Sequence, residues 1–337
     1  RRPAPEAPGA PSKDAQVVIT MVGFPSDVEE VWLGPQGIVK AAHNALLIDM
    51  TTSSPELARK LAQAASAAGH RALDAPVSGG EVAQQALDEA RNAADKQALA
   101  IGRHGPNRGY VGLGVEALDE KTAPDLKEAF NLVWTDEARR PPNAWPPIPG
   151  WRPRAQAWFD AVLDVGRRLH RAFALDLGVA EDFFEDKLDA PMATLRLLHY
   201  PAAFGADAPA GLPGAGTHTD YGNVTLLATD GVAGLQVRGR DGRWVDVPHL
   251  PGAFVCNIGD CLMRWSNDVY VSTPHRVGPP PRLRHSIAFF LDPNPDALVS
   301  ALPGCVPPGE APRHPPVTAA EHLRQRLSAT YGPGARA

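Results

Sequence analysis

The sequence predicts an α+β chain: a partial parallel α/β segment, then an antiparallel double-stranded β-helix, or jelly roll, with flanking helices. Three observations carry this. From Gln16 to Gly80 short apolar runs alternate with helical periodicity in the order strand, helix, strand, helix, strand, the pattern that builds parallel sheets. From Ala193 to Leu291 apolar runs follow one another with only Gly, Pro and Asp between them, which implies antiparallel pairing without crossover helices. Between these regions lie a segment rich in Pro and Trp and one long amphipathic stretch.

In chain order, QVVITMVG reads as a strand, Ser26 and Glu29 are spaced as a capping box, and ALLIDM reads as a second strand. Ser54-Pro55 is a good N-cap and first-turn pair. It opens ELARKLAQAASAA, whose Leu57, Leu61 and Ala64 or Ala65 share one face and which stops at Gly69. RALDAPV is the third strand. After about residue 82 the text becomes polar and helical (EVAQQALDEARNAADKQALAI), then passes into a Gly-rich loop from Arg108 to Gly114. Pro141, Pro142, Pro146, Pro147, Pro149 and Pro153 crowd one segment around three tryptophans, which predicts an ordered surface loop, because Trp rarely stays in water. Phe159, Val162, Val165, Leu169 and Phe173 form one apolar helical stripe that ends near Gly178.

The jelly-roll strands are ATLRLLHYP, NVTLLAT, GLQVRG, RWVDV, AFVCNIGD and RLRHSIAFFLD, with Asp241-Gly242 as a hairpin turn. A covering helix is expected over Val317 to Leu327. The domain division is therefore a disordered N-terminus over residues 1–13, an α/β fragment over 14–81, and a second domain over 82–337 with its jelly-roll core at about 190–295.

Composition narrows the function classes. Lys and Arg number 33 against 38 Asp and Glu, a net charge of -5, with no block of like charge to track a phosphate backbone, so no nucleic-acid partner is expected. Cys256, Cys261 and Cys305 have neither CxxC spacing nor disulfide-scaffold density, which points to a reducing compartment. With no signal-peptide core and no apolar run of membrane-spanning length, a soluble cytoplasmic protein is expected.

His218-Thr219-Asp220 places two metal ligands at alternate positions of an extended segment, on the same face. His275, in STPHRV, is the best third ligand, with room for four strands and their turns in between. Two imidazoles and one carboxylate on one face of an octahedron leave three positions for co-substrate and dioxygen, as in non-haem iron(II) oxygenases, although zinc suits the same ligands. Taken alone, an HxD pair is more often two ordinary residues than a metal site. Arg284 and Ser286, in RLRHS, add a guanidinium fork and a hydroxyl on one strand face, suited to the distal carboxylate of 2-oxoglutarate.

HTDYGNVTLL, GLQV, GAFVCNIGD, RWSND, STPHRV and RLRHSIAFF, with RGYVGLG and PDLKEAF upstream, resemble the isopenicillin N synthase-like family of iron(II) and 2-oxoglutarate-dependent oxygenases over about residues 96–330. The resemblance implies that His218, Asp220 and His275 carry iron, that Arg284 and Ser286 anchor 2-oxoglutarate, and that Tyr200 in LLHYP is the family's oxoglutarate-contacting tyrosine. It further implies decarboxylation to succinate and CO2, coupled to hydroxylation, desaturation or cyclisation of a small molecule by dioxygen. Many members have Asn two residues before that tyrosine, whereas this chain has Leu198.

DMTTSSP and DAPVSGG resemble instead the NAD-binding domain of β-hydroxyacid (3-hydroxyisobutyrate) dehydrogenases, a Rossmann-like fold, over about residues 14–80. By that resemblance Thr52 and Ser53 belong to a cofactor-side loop and Ser78, Gly79 and Gly80 to a substrate loop. The glycine turn that receives the pyrophosphate and the catalytic lysine are both missing from this text, so NAD binding is not expected. The chain reads as a chimera, and an excised half of a parallel sheet leaves an edge that must dock or self-associate. Two other readings stay open at this level: a dehydrogenase fragment, or a folded but inactive chimera.

Overall fold

The computed structural model describes residues 17–20, 25–49, 55–74, 93–105, 107–119, 124–136, 142–201, 213–250 and 253–331. The chain divides into two compact units, residues 1–80 with 248–256, and residues 81–247 with 257–337. The expected disordered N-terminus, the Ser54 cap and the residues Thr52, Ser53, Ser78, Gly79 and Gly80 lie outside the described residues.

In the first unit, strands β1 (Val17–Thr20), β2 (Leu46–Asp49) and β3 (Arg71–Asp74) pair in parallel in the order β1-β2-β3. Helices α1 (Pro25–Leu33), α2 (Ile38–Ala41) and α3 (Pro55–Ala67) connect them. Val28, Trp32, Ile38, Leu47, Leu57, Leu61 and Ala65 are buried together, so the stripe expected on α3 is the stripe that packs. One expectation is corrected: α1 begins at Pro25, a good first-turn residue, so Ser26 lies inside the helix and is not its N-cap.

In the second unit, helix α4 (Ala93–Ala98) is the described part of the polar helical stretch. Strands β4 (Gly109–Val111), β5 (Glu128–Val133), β6 (Thr194–Tyr200), β8 (Val224–Thr229), β11 (Val255–Ile258) and β13 (Arg284–Leu291) form a six-stranded sheet in the order β11-β8-β13-β6-β5-β4. Strands β7 (Ala215–His218), β9 (Leu235–Arg238), β10 (Trp244–Asp246) and β12 (His275–Val277) form a four-stranded sheet in the order β10-β9-β12-β7. These are the two sheets of the jelly roll.

Helix α5 (Trp151–Asp176) lies against β13 and β8. Phe159 meets Phe289 edge-on at 5.1 Å between ring centroids, so the odd-numbered residues of β13 face α5. Arg284 and Ser286 therefore point the other way, into the jelly roll, and both are buried. Of the Pro- and Trp-rich segment, residues 142–150 lie outside helix and strand and Trp151 opens α5, fully buried against Phe130.

Two readings of the second unit are corrected. Arg108 to Gly114 is not all loop: Gly109–Val111 is the edge strand β4, and Gly109 is needed there because a Cβ would lie 2.1 Å from the Leu99 carbonyl oxygen. Four strands do lie between Asp220 and His275, but so does a short helix, α6 (Asp260–Trp265), hidden in text that reads as the end of a strand. The C-terminal hairpin of β14 (Leu298–Val299) and β15 (Val317–Thr318) leads into α7 (Ala319–Tyr331). Among the described residues, no helix is long and apolar enough to cross a membrane.

Candidate metal and co-substrate site

Strand pairing brings His218 and His275 together, because they are directly opposed in the β7–β12 ladder, with ring centroids 4.3 Å apart. Asp220 lies two residues past the end of β7, with a carboxylate oxygen 3.7 Å from His275 Nε2. One ligand atom from each of the three residues falls within 4.8 Å of the others, and no other such group of His, Cys, Asp or Glu occurs among the described residues.

The imidazoles are oriented by their own backbones. His218 Nδ1 is 2.8 Å from the Gly216 carbonyl oxygen, and His275 Nδ1 is 3.1 Å from that of Thr273. A carbonyl only accepts, so each Nδ1 bears a hydrogen, and Nε2 is the ring nitrogen left to act as a metal ligand. Burial pushes the His218 pKa down to about 4, and the neighbouring His275 adds to the effect, so this ring is neutral at neutral pH and able to ligate. Asn257 Nδ2 donates to Asp220 Oδ2 at 3.2 Å, and the Asp260 amide donates to the Asp220 carbonyl at 2.8 Å. Half-buried Asp292 has its pKa raised to about 7, first by desolvation and then by the charge of Asp220.

The turn after Asp220 depends on glycine. A Cβ on Gly222 would lie 1.6 Å from Asp292 Oδ1, and one on Gly259 would lie 2.2 Å from the Gly222 carbonyl oxygen. This close approach lets the amides of Asp260 and Cys261 reach the carbonyls of Asp220 and Gly222.

The second cluster sits on the six-stranded sheet. Arg284 and Tyr200 are register partners, and the guanidinium lies over the phenol ring at 4.8 Å. Arg284 Nη1 donates to Ser286 Oγ and Nε to the Val232 carbonyl, each at 3.3 Å. Arg284 is 0% exposed, yet its Nη2 has no hydrogen-bond partner among the described residues. A buried guanidinium without a carboxylate is costly, so this edge of the fork suits an anionic ligand. Leu198, where many of the family carry Asn, pairs with Ser286 in the ladder and is buried.

The six residues singled out from sequence thus fall into two clusters of three. Asn257 and Asp292 were missed as site residues. Both stand in strand text, and nothing local links positions 257 or 292 to position 220; only the sheet does.

A jelly roll with two imidazoles and a carboxylate converging at a strand end, and with a buried, half-satisfied arginine on the facing sheet, has the architecture of a metal-dependent oxygenase. The profile of the 2OG-Fe(II) oxygenase superfamily matches residues 191–293. The chain is 37% identical over 254 residues to the 2-oxoglutarate-Fe(II) type oxidoreductase hxnY of Emericella nidulans, spanning 71% of this chain and 73% of that protein. It is 35% identical over 242 residues to homoarginine-6-hydroxylase 2-ODD-233 of Oryza sativa subsp. japonica, spanning 66% and 72%. A full-length Neurospora crassa protein, solved in complex with alpha-KG and thymine, superposes with a TM-score of 0.71 at 27% identity, covering 94% of this chain and 97% of that one. The chain belongs to the 2-oxoglutarate-Fe(II) oxygenases. It is an oxidoreductase of that family, whose cofactor is Fe(II) and whose co-substrate is 2-oxoglutarate. The profile of the NAD binding domain of 6-phosphogluconate dehydrogenase matches residues 4–90, in agreement with the dehydrogenase-like text of the N-terminal fragment.

Proposed function

We propose that His218, Asp220 and His275 hold the Fe(II) of this oxygenase and that Arg284, Ser286 and Tyr200 seat the distal carboxylate of 2-oxoglutarate. The observation that carries the reading is the convergence of one ligand atom each from two imidazoles and one carboxylate within 4.8 Å. This donor set suits Fe(II) and leaves coordination positions for small molecules. When bound, the metal and co-substrate supply the oxidising chemistry that is coupled to loss of CO2 and formation of succinate.

The chain's own residues do the rest. Gly216 and Thr273 keep both imidazoles in the ligating tautomer, and Asn257 holds one oxygen of Asp220. The free edge of Arg284 orients the co-substrate, with Tyr200 as its apolar wall. The substrate is a small molecule oxidised with dioxygen. Residues 82–337 are the oxygenase domain, with its core at about 190–295, and residues 14–81 are a dinucleotide-fold remnant that lacks a glycine turn and binds no NAD. The chain is thus a chimera, and the edge of its parallel sheet is left either to dock or to self-associate. Three free cysteines fit a reducing cytoplasm.

The test is anaerobic titration with Fe(II) and 2-oxoglutarate, watching for a weak visible charge-transfer band, followed by oxygen and measurement of succinate. Band and succinate together are expected. Absence of both refutes the assignment, and tight retention of NADH would restore the dehydrogenase reading.

A further inference from the structure

We infer that Arg326, on the C-terminal helix, is a positioning residue for the carboxylate ligand: it grips the residues on both sides of Asp220. This rests on the iron reading above and extends it to a part of the chain far from the ligands in sequence.

Strand β7 ends at His218, so Asp220 stands beyond the ladder that holds the first histidine. Its oxygens must nevertheless be held to within a few tenths of an ångström for coordination, on the order of 0.2 Å in distance. Direct support is sparse: Asn257 on one oxygen, and the Asp260 amide and, at 3.5 Å, Ser272 Oγ on the carbonyl.

Helix α7 adds a clamp. Arg326 donates from Nη2 to Thr219 Oγ1 at 3.0 Å, its guanidinium lies 4.9 Å from the centre of the Tyr221 ring, and its Nε is 3.1 Å from Asp260 Oδ2. One turn earlier, His322 lies 3.9 Å from the same oxygen of Asp260. One planar cation therefore contacts the residue before Asp220, the residue after it, and the side chain of the residue whose amide holds its carbonyl. A planar guanidinium can present its edge to Thr219 and Asp260 and its face to Tyr221 at once, whereas an ammonium is a single point charge.

The helix has a firm base from which to act. Strands β14 and β15 pair just before it, the amides of Ala319 and Ala320 donate to the carbonyls of Ala297 and Pro295, and Arg264 donates to the Pro315 carbonyl at 2.7 Å. Arg324 on the same helix pairs only with Glu321 at the surface among the described residues, which makes it the matched control.

The experiment is a titration of the metal-free full chain with Co(II), read by its visible absorption, alongside the melting temperature of the metal-free protein. Arg326→Ala should raise the Co(II) Kd about 10-fold, the lower end for loss of a group that orients a ligand. Thr219→Val should raise it about 5-fold, the worth of one hydrogen bond. The double variant should fall well short of the product of the two, because both remove the same contact. Arg326→Lys should fall between wild type and Arg326→Ala, and Arg324→Ala should match wild type. A fall in melting temperature with an unchanged Co(II) Kd in Arg326→Ala would make the helix a structural brace only and overturn the inference. Multiplicative effects in the double variant would also overturn it. Should Arg326→Ala not fold, Thr219→Val and Arg326→Lys carry the same decision. Failure of the wild type to give a Co(II) spectrum would overturn the iron reading itself, a different result from any of these.

Discussion

Both units bury hydrogen-bonded polar groups, but the jelly-roll unit adds a cluster that its own side chains do not complete. In the parallel sheet, Trp32 Nε1 donates to Thr20 Oγ1 at 2.8 Å, and Thr20 donates onward to Asp49 at 3.2 Å, so one polar group answers another along a chain. In the jelly roll, ligand atoms of His218, Asp220 and His275 converge within 4.8 Å, and Arg284 Nη2 has no hydrogen-bond partner among the described residues. A closed network stabilises a fold. An open one leaves buried donors and acceptors whose desolvation is offset only when a ligand arrives. The contrast teaches where to look for chemistry in a chain that resembles two enzyme families at once.

The sharpest break of this comparison is removal of an open group. His218→Ala or Asp220→Ala should abolish 2-oxoglutarate-dependent succinate formation and the charge-transfer band while leaving the circular dichroism of the fold in place. Retained turnover in both variants would show that the open cluster is not the metal site.

Arg284→Ala should act next most strongly. Loss of charge-assisted hydrogen bonds to a carboxylate is worth about 3 kcal/mol, roughly 100-fold in the KM for 2-oxoglutarate. Arg284→Lys should recover part of it, and an unchanged KM in Arg284→Ala would remove this residue from the co-substrate site.

Acid should weaken the jelly-roll unit through a closed group. His170 is neutral and fully buried: its Nδ1 bonds the Gly166 carbonyl at 2.6 Å, its Nε2 lies 3.0 Å from Asn223 Nδ2, and burial pushes its pKa down to about 4. The unfolded chain, whose histidines titrate near 6.5, takes up the proton first. The stabilisation is therefore present above about pH 6.5 and is lost as pH falls through about 4. Urea melts of the metal-free protein across this window should show a slope smaller by about 1.4 kcal/mol per pH unit in His170→Asn, the value for one proton. An unchanged slope would mean that His170 titrates alike in both states.

The smallest effect belongs to the closed network of the first unit. Trp32→Phe removes one hydrogen bond, about 1 kcal/mol of that unit's stability, measurable by thermal melts, and should leave the KM for 2-oxoglutarate unaltered. A shift in that KM would show that the N-terminal unit reaches into the oxygenase chemistry.

Much of this was legible in the sequence because it is local. His218 and Asp220 are two apart, Arg284 and Ser286 are two apart, and alternation in an extended chain puts each pair on one face whatever the partners. The stripes of α3 and α5 were equally plain, since periodicity alone writes them. Helix α6 was not: it has six residues and no side-chain cap, too short to show a period. Nor was β4, whose Gly-rich text hides a strand that exists because Gly109 allows a close approach to Leu99.

By itself, then, the sequence determined the two textures of the chain, the short-range pairs and the donor chemistry, because these depend on neighbours within a few residues. Only the tertiary structure decided that His275 stands opposite His218 in a ladder, that Arg284 keeps one edge of its fork open, and that Asn257 and Arg326 reach the ligand loop. Each of those relations joins residues tens of positions or more apart, and their distance in space is set by sheet register and helix packing, which no local pattern encodes.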